Sequence, residues 1–247
     1  MTLSGAALSL WSAPLDLPTS LLGELGECIS PEETERAEQY RQPLDRDRFV
    51  AARGWLRRLL AGQLRCRPDE VRFVTGDGGK PMLVDSDLRF NASRSAGVAL
   101  YATSWTTNVG VDIEQVREIA DIEGFAERFF SPAEQAGLAA LPQADRRAAS
   151  FQCWANKEAY VKGLGTGLTV SLRAFDTWSG DMAHSTLDGW TIHKVDAGFG
   201  FAAAVAGTGL QGSVPVPPES LGSLKFDPTT GTIERLSGEA LGGSLEE

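Results

Sequence analysis

The sequence predicts an α+β fold in which two long helices lie among short strands. Apolar residues recur at helical spacing from residue 45 to residue 64, and a second helical pattern occupies residues 150–168. Around these helices, short apolar runs are bounded by glycine, proline and aspartate, which is typical of strands joined by tight turns. Each half of the chain has the same ingredients, and we expect the halves to meet between residues 104 and 108.

The first half begins with a short strand predicted for residues 6–17, which prolines end. Ser30 precedes a proline and predicts the N-cap of a first helix. The long helix of residues 45–64 is followed by a short strand at residues 71–74 and a glycine-rich turn at residues 75–79.

Residues 89–102 predict a strand, a polar turn and a second strand. The turn gathers an amide, two hydroxyls and a guanidinium, which can all donate to phosphate oxygens: Asn91, Ser93, Ser95 and Arg94. An ordinary polar loop explains the same residues, so the turn alone indicates no function.

A predicted strand at residues 108–114 carries a pair of acids. Strand alternation puts Val109, Val111 and Ile113 on one face and Asp112 and Glu114 together on the other, about 6 to 7 Å apart. Two carboxylates so close repel each other, and a divalent cation such as Mg²⁺ relieves that repulsion. The alternative is an exposed acidic edge without a ligand.

The second half continues with helical pieces in residues 119–141, where Ser131 and Glu134 form a predicted capping box. Glu134 therefore has a structural explanation. Strands are predicted at the end of the chain, and an irregular tail is expected from residue 207 onward; the strands are residues 168–175, 190–195 and 199–205.

The second long helix places two charges in an apolar stripe, and we expect it to end at Gly163. At about 100° per residue, Glu158 and Lys162 share a face with Phe151, Trp154 and Ala155. A desolvated carboxylate is costly unless a cation or hydrogen-bond donors satisfy it, so Glu158 is expected to face a cation or a substrate. An i,i+4 surface pair is the alternative.

Composition limits the function classes. A net charge of −10 disfavours nonspecific nucleic-acid binding, although residues 41–67 carry a local charge of +6 that suits a defined anionic ligand or simply a solvated helix. The three cysteines lack metal-site spacing and indicate free thiols. We find no signal peptide and no membrane-spanning run, so we expect a cytoplasmic protein.

Three motifs together resemble the Sfp-type 4′-phosphopantetheinyl transferases: GKP followed by FNASRS, then GVDIE, then WANKEAYVKGLGTGL. The resemblance spans about residues 29–205. It implies a pseudo-dimer of two similar α/β subdomains, each a small, mainly antiparallel sheet on a long helix. The expected boundaries are residues 1–106, residues 107–211 and a C-terminal tail of residues 212–247.

The resemblance also implies substrates and partners. Members of this family move the phosphopantetheine arm of coenzyme A to a serine of an apo acyl or peptidyl carrier protein, with Mg²⁺ or Mn²⁺, and a monomer is expected. Acidic carriers would suit the arginine-rich segment. A catalytically silent module that binds coenzyme A or a carrier, and a Mg²⁺-dependent phosphohydrolase, are the competing hypotheses.

The resemblance assigns site residues by motif. Asp112, Glu114 and Glu158 would hold the metal, and Asp112, Glu158 and Lys162 would be catalytic. Glu158, directly or through a metal-bound water, is the first candidate for the base that accepts the serine proton, and Glu134 is a weaker one. The residues expected to contact coenzyme A are Arg48, Arg53, Lys80, Pro81, Ser93, Arg94, Asp112, Lys157 and Lys162.

Arg94 stands where the family usually has histidine. Arginine can bind a phosphate with two parallel hydrogen bonds and keeps its charge at all working pH values. Coenzyme A binding is therefore expected to persist, without a pH dependence from this position. His184 and His193 lie outside every motif, which disfavours a serine hydrolase triad.

Overall fold

The structure, a computed structural model, describes residues 8–76, 78–167, 170–178, 184–210, 219–220, 224–226 and 233–235. Helices and antiparallel strands are mixed along the chain, which confirms the predicted α+β class. The pseudo-dimer stays a prediction. In these ranges, none of the helices combines the length and the apolar character needed to cross a bilayer.

The helices of the described residues are α1 (Thr19–Gly26), α2 (Pro31–Glu38), α3 (Pro43–Leu64), α4 (Ile122–Phe129), α5 (Pro132–Ala140) and α6 (Gln143–Leu164). The strands are β1 (Leu8–Pro14), β2 (Phe73–Thr75), β3 (Pro81–Leu83), β4 (Arg89–Ser95), β5 (Val98–Ser104), β6 (Val109–Gln115), β7 (His184–Leu187), β8 (Trp190–Lys194), β9 (Phe201–Thr208), β10 (Glu219–Ser220), β11 (Leu224–Phe226) and β12 (Ile233–Arg235). Short 3₁₀ helices occupy Pro68–Glu70 and Leu172–Ala174.

The chain forms two compact units. The smaller contains residues 13–71 and 220–247, and the larger contains residues 1–12 and 72–219. The boundary predicted near residue 106 falls inside the larger unit, and the division into two subdomains stays a prediction.

The smaller unit is built on helix α3. Helix α2 begins at the predicted N-cap Ser30, and the structure adds a capping box in which Ser30 Oγ accepts from Glu33 N at 3.3 Å and the Glu33 carboxylate accepts from Ser30 N at 2.9 Å. Helices α1 and α3 meet at Gly54, where an added Cβ would lie 2.6 Å from the carbonyl oxygen of Leu25. The absence of a side chain there permits the close contact.

Two four-stranded sheets have the strand orders β10-β1-β5-β4 and β6-β9-β8-β7, and β4, β5 and all of the second sheet belong to the larger unit. The apolar face of β6, formed by Val109, Val111 and Ile113, is buried in a core shared with Leu100 of β5 and Val205 of β9. Each buried β-branched side chain contributes about 1.5 to 3 kcal/mol. The same burial fixes the register of β6, because a shift of one residue would put its acids into the core.

Helix α6 covers the opposite face of the second sheet. Ala155, Ala159 and Tyr160 of α6 are buried against Trp190 and Ile192 of β8. The even-numbered residues of β6 therefore face α6, and the sequence correctly predicted which face carries the acids.

Three predicted elements differ from the structure. Helix α6 ends at Leu164, one residue beyond Gly163, because Gly165 takes the left-handed conformation at the C-cap (φ 75°). The polar residues predicted in a turn lie within β4 itself, and the turn is Ala96–Gly97. The strand predicted at residues 168–175 is replaced by the 3₁₀ helix Leu172–Ala174, and residues 168–169 lie outside the described ranges.

Other elements were missed at the sequence level. Neither helix α1 nor strand β7 (His184–Leu187) was predicted. Most of the tail predicted to be irregular lies outside the described residues, but within it β11 and β12 pair antiparallel.

Candidate active site

Strand β6 and helix α6 lie unusually close together, and their facing residues form the candidate site. A Cβ added at Gly110 of β6 would lie 1.9 Å from the carbonyl oxygen of Ala159 and 2.4 Å from Gly163 N. Only glycine fits there without moving the helix. Asp112 and Glu114 are on the same face of β6 as Gly110, so they also face α6.

Helix α6 presents Trp154, Glu158 and Lys162 at four-residue intervals, which places them along one face. The Trp154 indole N–H donates to Glu114 Oε1 at 3.3 Å, and Lys162 Nζ donates to Asp112 Oδ1 at 2.5 Å. Lys162 of the helix therefore contacts an acid of the strand directly, and Glu158 interacts electrostatically with Lys162, Asp112 and Glu114. The convergence of the three carboxylates on one cation stays a prediction.

Strand β4 contributes polar side chains from the edge of the other sheet. Asn91 Oδ1 accepts from Val111 N at 2.9 Å, the Ser93 hydroxyl donates to Asp112 Oδ1 at 2.8 Å, and the Ser95 hydroxyl donates to Glu114 Oε2 at 3.2 Å. Three alternating residues of β4 therefore bond to β6, so side chains bridge these two edge strands.

The surroundings raise the pKa values of all three carboxyl groups, those of Asp112, Glu114 and Glu158. Burial raises the pKa of Asp112, and the Lys162 ammonium opposes that rise. Burial and, secondly, the neighbouring Asp112 raise the pKa of Glu114. Burial also raises the pKa of Glu158, with Lys162 opposing and both Asp112 and Glu114 adding to the rise. The groups therefore act on one another, and a single lysine neutralises only part of their charge.

One oxygen of this group is available for a ligand. Among the described residues, Asp112 Oδ2 is buried and accepts no hydrogen bond, which is costly for a carboxylate oxygen unless a cation or donor satisfies it. The described part of the chain contains no set of three acidic, histidine or cysteine side chains gathered closely enough to form a complete metal site. The chemistry of the donors fits a hard divalent cation, and the predicted ligand set of Asp112, Glu114 and Glu158 stays a prediction.

The surroundings of Lys157 contradict the prediction that this residue contacts coenzyme A. Its side chain is 0% exposed, and its ammonium donates to Leu172 O at 2.7 Å, to Phe175 O at 2.6 Å and to Glu134 Oε2 at 2.7 Å. These three acceptors use all three N–H groups. The prediction is corrected because no donor of Lys157 is left for a ligand.

Glu134 is likewise excluded as the base. Its carboxylate is 0% exposed and accepts from Ser131 N, Lys157 Nζ, Thr177 N and Thr177 Oγ1 at 2.7 to 3.0 Å. The capping-box explanation is confirmed, and the contact with Lys157 extends it.

The GKP segment is tied to the same end of α6. Lys80 Nζ donates to Val109 O at 2.8 Å and to Gly163 O at 2.9 Å. A Cβ added at Gly78 would lie 1.6 Å from Gly165 O, so the loop runs directly against the helix end. Pro81 begins β3 and is exposed. Two donors of Lys80 are thus held by the protein, and its predicted contact with coenzyme A stays a prediction.

The predicted arginines occupy different surroundings. Arg94 is exposed on β4, on the opposite face from Ser93 and Ser95. In the smaller unit, Arg48 makes a bidentate pair with Asp16 at 2.6 and 2.8 Å, which lowers the pKa of Asp16. Arg53 pairs with Glu33. Their roles toward coenzyme A stay predictions.

Two contacts of the site were missed at the sequence level, namely Ser95 and Trp154 as donors to Glu114. A signal for Ser95 existed in the alternation of polar residues at 91, 93 and 95, which matches strand periodicity better than a turn. Trp154 was placed on the correct helix face but was interpreted as apolar.

Comparisons with known proteins agree with this geometry. Residues 108–195 match the 4′-phosphopantetheinyl transferase superfamily. The 4′-phosphopantetheinyl transferase HetI of Nostoc sp. is 36% identical over 221 residues, which cover 85% of this chain and 92% of that protein. The 4′-phosphopantetheinyl transferase Sfp of Bacillus subtilis is 30% identical over 148 residues, or 60% of this chain and 65% of that protein.

A third relative, the 4′-phosphopantetheinyl transferase gsp of Aneurinibacillus migulanus, is 30% identical over 162 residues, or 66% of this chain and 67% of that protein. Because the match to HetI covers 85% of this chain, its span contains both long helices and the segments that carry the three motifs. The chain therefore belongs to the 4′-phosphopantetheinyl transferase superfamily and is an enzyme of the Sfp type.

Proposed function

We propose that the enzyme transfers the 4′-phosphopantetheine arm of coenzyme A to a serine of an apo acyl or peptidyl carrier protein, in a Mg²⁺-dependent reaction that releases 3′,5′-adenosine bisphosphate. The observation that carries the proposal is the ion pair of Lys162 with Asp112, whose Oδ2 is buried and without a donor among the described residues. Glu114 and Glu158 interact electrostatically with both of these charges. Such a group suits a cation and the pyrophosphate of coenzyme A.

Asp112, Glu114 and Glu158 are the proposed metal ligands. A bound Mg²⁺ would neutralise charge on the pyrophosphate and act as a Lewis acid there. Lys162 stands beside Asp112 with its side chain 31% exposed, so its ammonium can contact a bound phosphate. Its positive charge would stabilise the negative charge that grows on the leaving phosphate oxygen.

The chemical step forms a bond between the carrier serine Oγ and the β-phosphorus and breaks the bond from that phosphorus to the bridging pyrophosphate oxygen. The bridging oxygen leaves with its electron pair on adenosine bisphosphate. Glu158 is the proposed acceptor of the serine proton, because Glu134 is enclosed and its oxygens are fully hydrogen bonded.

The test uses purified enzyme, coenzyme A and a small panel of apo carrier proteins. We expect a mass increase of about 340 Da on a carrier serine with Mg²⁺ or Mn²⁺, and none with excess EDTA. Coenzyme A binding without a mass increase would instead indicate a silent binding module. Cleavage of coenzyme A without an acceptor would indicate a phosphohydrolase.

A further inference from the structure

The carboxylate of Glu114 is held at both of its oxygens by donors from two other elements. Trp154 of α6 donates its indole N–H to Oε1 at 3.3 Å, and Ser95 of β4 donates its hydroxyl to Oε2 at 3.2 Å. Neither donor was assigned a role by sequence motif. Together they fix the plane in which the carboxylate lies.

The direction of the Ser95 hydrogen bond follows from its other partner. Ser95 Oγ accepts the backbone N–H of Gln115 at 3.0 Å, and a backbone N–H can only donate. The single hydroxyl proton of Ser95 is therefore available to Glu114 Oε2. The Trp154 indole is also a donor only, so both contacts favour the charged carboxylate over the protonated form.

Both donors are held in place by their own surroundings. The ring of Trp154 contacts Phe125 at 5.3 Å and Phe129 at 4.9 Å between ring centroids. Ser95 is the last residue of β4 and pairs with Val98 of β5 in the sheet. Rigid donors lose little entropy when they orient a ligand, so they can hold Glu114 before a cation arrives.

We propose that Ser95 and Trp154 are positioning residues that hold Glu114 in the orientation required to bind the divalent cation. This inference rests on the proposed function. Neither residue contacts substrate; each acts through Glu114. Partners that orient metal ligands in this way typically change metal affinity about 10- to 100-fold when removed.

The experiment measures metal affinity directly. Mn²⁺ binding is followed by electron paramagnetic resonance in the presence of coenzyme A, and the Mg²⁺ concentration that gives half-maximal transfer is measured in parallel. The variants are Ser95→Ala and Trp154→Phe, the second of which keeps an aromatic ring but loses the N–H and part of the volume of the indole. We expect each to weaken Mn²⁺ binding about tenfold and to raise the half-saturating Mg²⁺ concentration equally, with kcat at saturating Mg²⁺ close to wild type.

Matched controls make the same chemical changes elsewhere. Trp55→Phe removes an indole donor to Pro14 O, and Ser150→Ala removes a hydroxyl donor to Arg146 O. Both should bind Mn²⁺ as wild type does. Ser95→Thr keeps the hydroxyl and should restore the affinity lost in Ser95→Ala.

A double-mutant cycle isolates the route through Glu114. In a Glu114→Gln background, Ser95→Ala should have no further effect on Mn²⁺ binding, since the carboxylate it orients is gone. Equal losses in both backgrounds, or wild-type Mn²⁺ affinity in Ser95→Ala and Trp154→Phe, would overturn the inference. A wild-type enzyme that neither binds Mn²⁺ nor modifies a carrier would instead overturn the proposed function.

Discussion

Helix α6 carries two lysines, five residues apart, that each pair with a carboxylate, and the two pairs differ in burial and in how many of their hydrogen-bonding atoms have partners. The pair of Lys157 and Glu134 is enclosed: both side chains are 0% exposed, and every donor and acceptor has a partner. The pair of Lys162 and Asp112 is open, since Lys162 is 31% exposed and Asp112 Oδ2 accepts no bond from the described residues. A closed pair holds a structure together, whereas an open pair can accept a ligand.

The first test of this comparison is Lys157→Met, for which we expect the largest loss of stability. The change leaves Glu134 buried with no cation, which typically costs about 3 to 5 kcal/mol. Urea unfolding of the variant measures the loss. Adding Glu134→Gln to this variant should recover part of it, and wild-type stability of Lys157→Met would contradict a structural role.

Lys162→Met is the matched change in the open pair. We expect this change to lower the free energy of unfolding by less than the about 3 kcal/mol minimum expected for Lys157→Met, because Lys162 is partly exposed to solvent. Transfer to the carrier should fall about 100- to 1,000-fold, the usual effect of removing one charge-stabilising group. Single-turnover transfer and urea unfolding separate the two effects; a variant that unfolds more easily than Lys157→Met would reverse the comparison.

Lys80 is intermediate between Lys157 and Lys162, because the protein supplies two acceptors for its amine. The pH dependence of stability can test this. Burial and, to a lesser degree, Arg89 lower the pKa of Lys80 to about 8 from 10.5. Between these values the unfolded chain binds more protons than the native protein, so stability should rise with pH. A neutral amine keeps two N–H groups, which suffice for its two carbonyl partners.

We therefore expect the free energy of unfolding of the wild type to increase by up to about 1 kcal/mol from pH 8 to pH 9.5, relative to Lys80→Met. Urea unfolding of both proteins at several pH values measures the difference. Parallel pH profiles for the two proteins would show that Lys80 does not titrate in this range.

The smallest expected change in stability is that of Glu158→Gln. Burial and the neighbouring acids raise the pKa of Glu158, so its ionised form destabilises the fold once the pH exceeds the value for the unfolded chain. Without metal at pH 7, Glu158→Gln should be more stable than wild type by less than about 1 kcal/mol. The gain should vanish as the pH falls toward 4, while transfer is lost at all pH values.

Thermal unfolding in EDTA and the carrier assay test this prediction together. Lower stability of Glu158→Gln at pH 7 would show that Glu158 makes a favourable structural contact. Normal transfer by the variant would remove Glu158 from the mechanism.

Local patterns predicted much of the fold. The N-cap at Ser30, the capping box at Ser131 and the alternation of β6 depend on residues near one another in sequence, and all three are confirmed. The face of α6 that carries Glu158 and Lys162 was also predicted from spacing alone.

The features that local patterns failed to predict depend on contacts between residues far apart in sequence. Lys157 carries the same charge as Lys162 and belongs to the same motif. Its partners, however, are Glu134 and the carbonyls of Leu172 and Phe175, which follow α6 in the chain. Nothing near Lys157 in sequence reveals those acceptors. The role of Ser95 depends in the same way on a neighbouring edge strand, since β4 and β6 belong to different sheets.

Gly110 sets the distance between β6 and α6, and therefore the distance between the proposed metal ligands on the two elements. A methyl group at this position would start 1.9 Å from Ala159 O, so α6 would have to retreat by roughly 1.5 Å to restore ordinary contact. Glu158 and Lys162 would move with the helix, whereas Asp112 and Glu114 would stay with the sheet. Misplacements of about 1 Å can cost two orders of magnitude in rate. The absence of a side chain at Gly110 therefore determines how closely the charged groups of α6 approach those of β6.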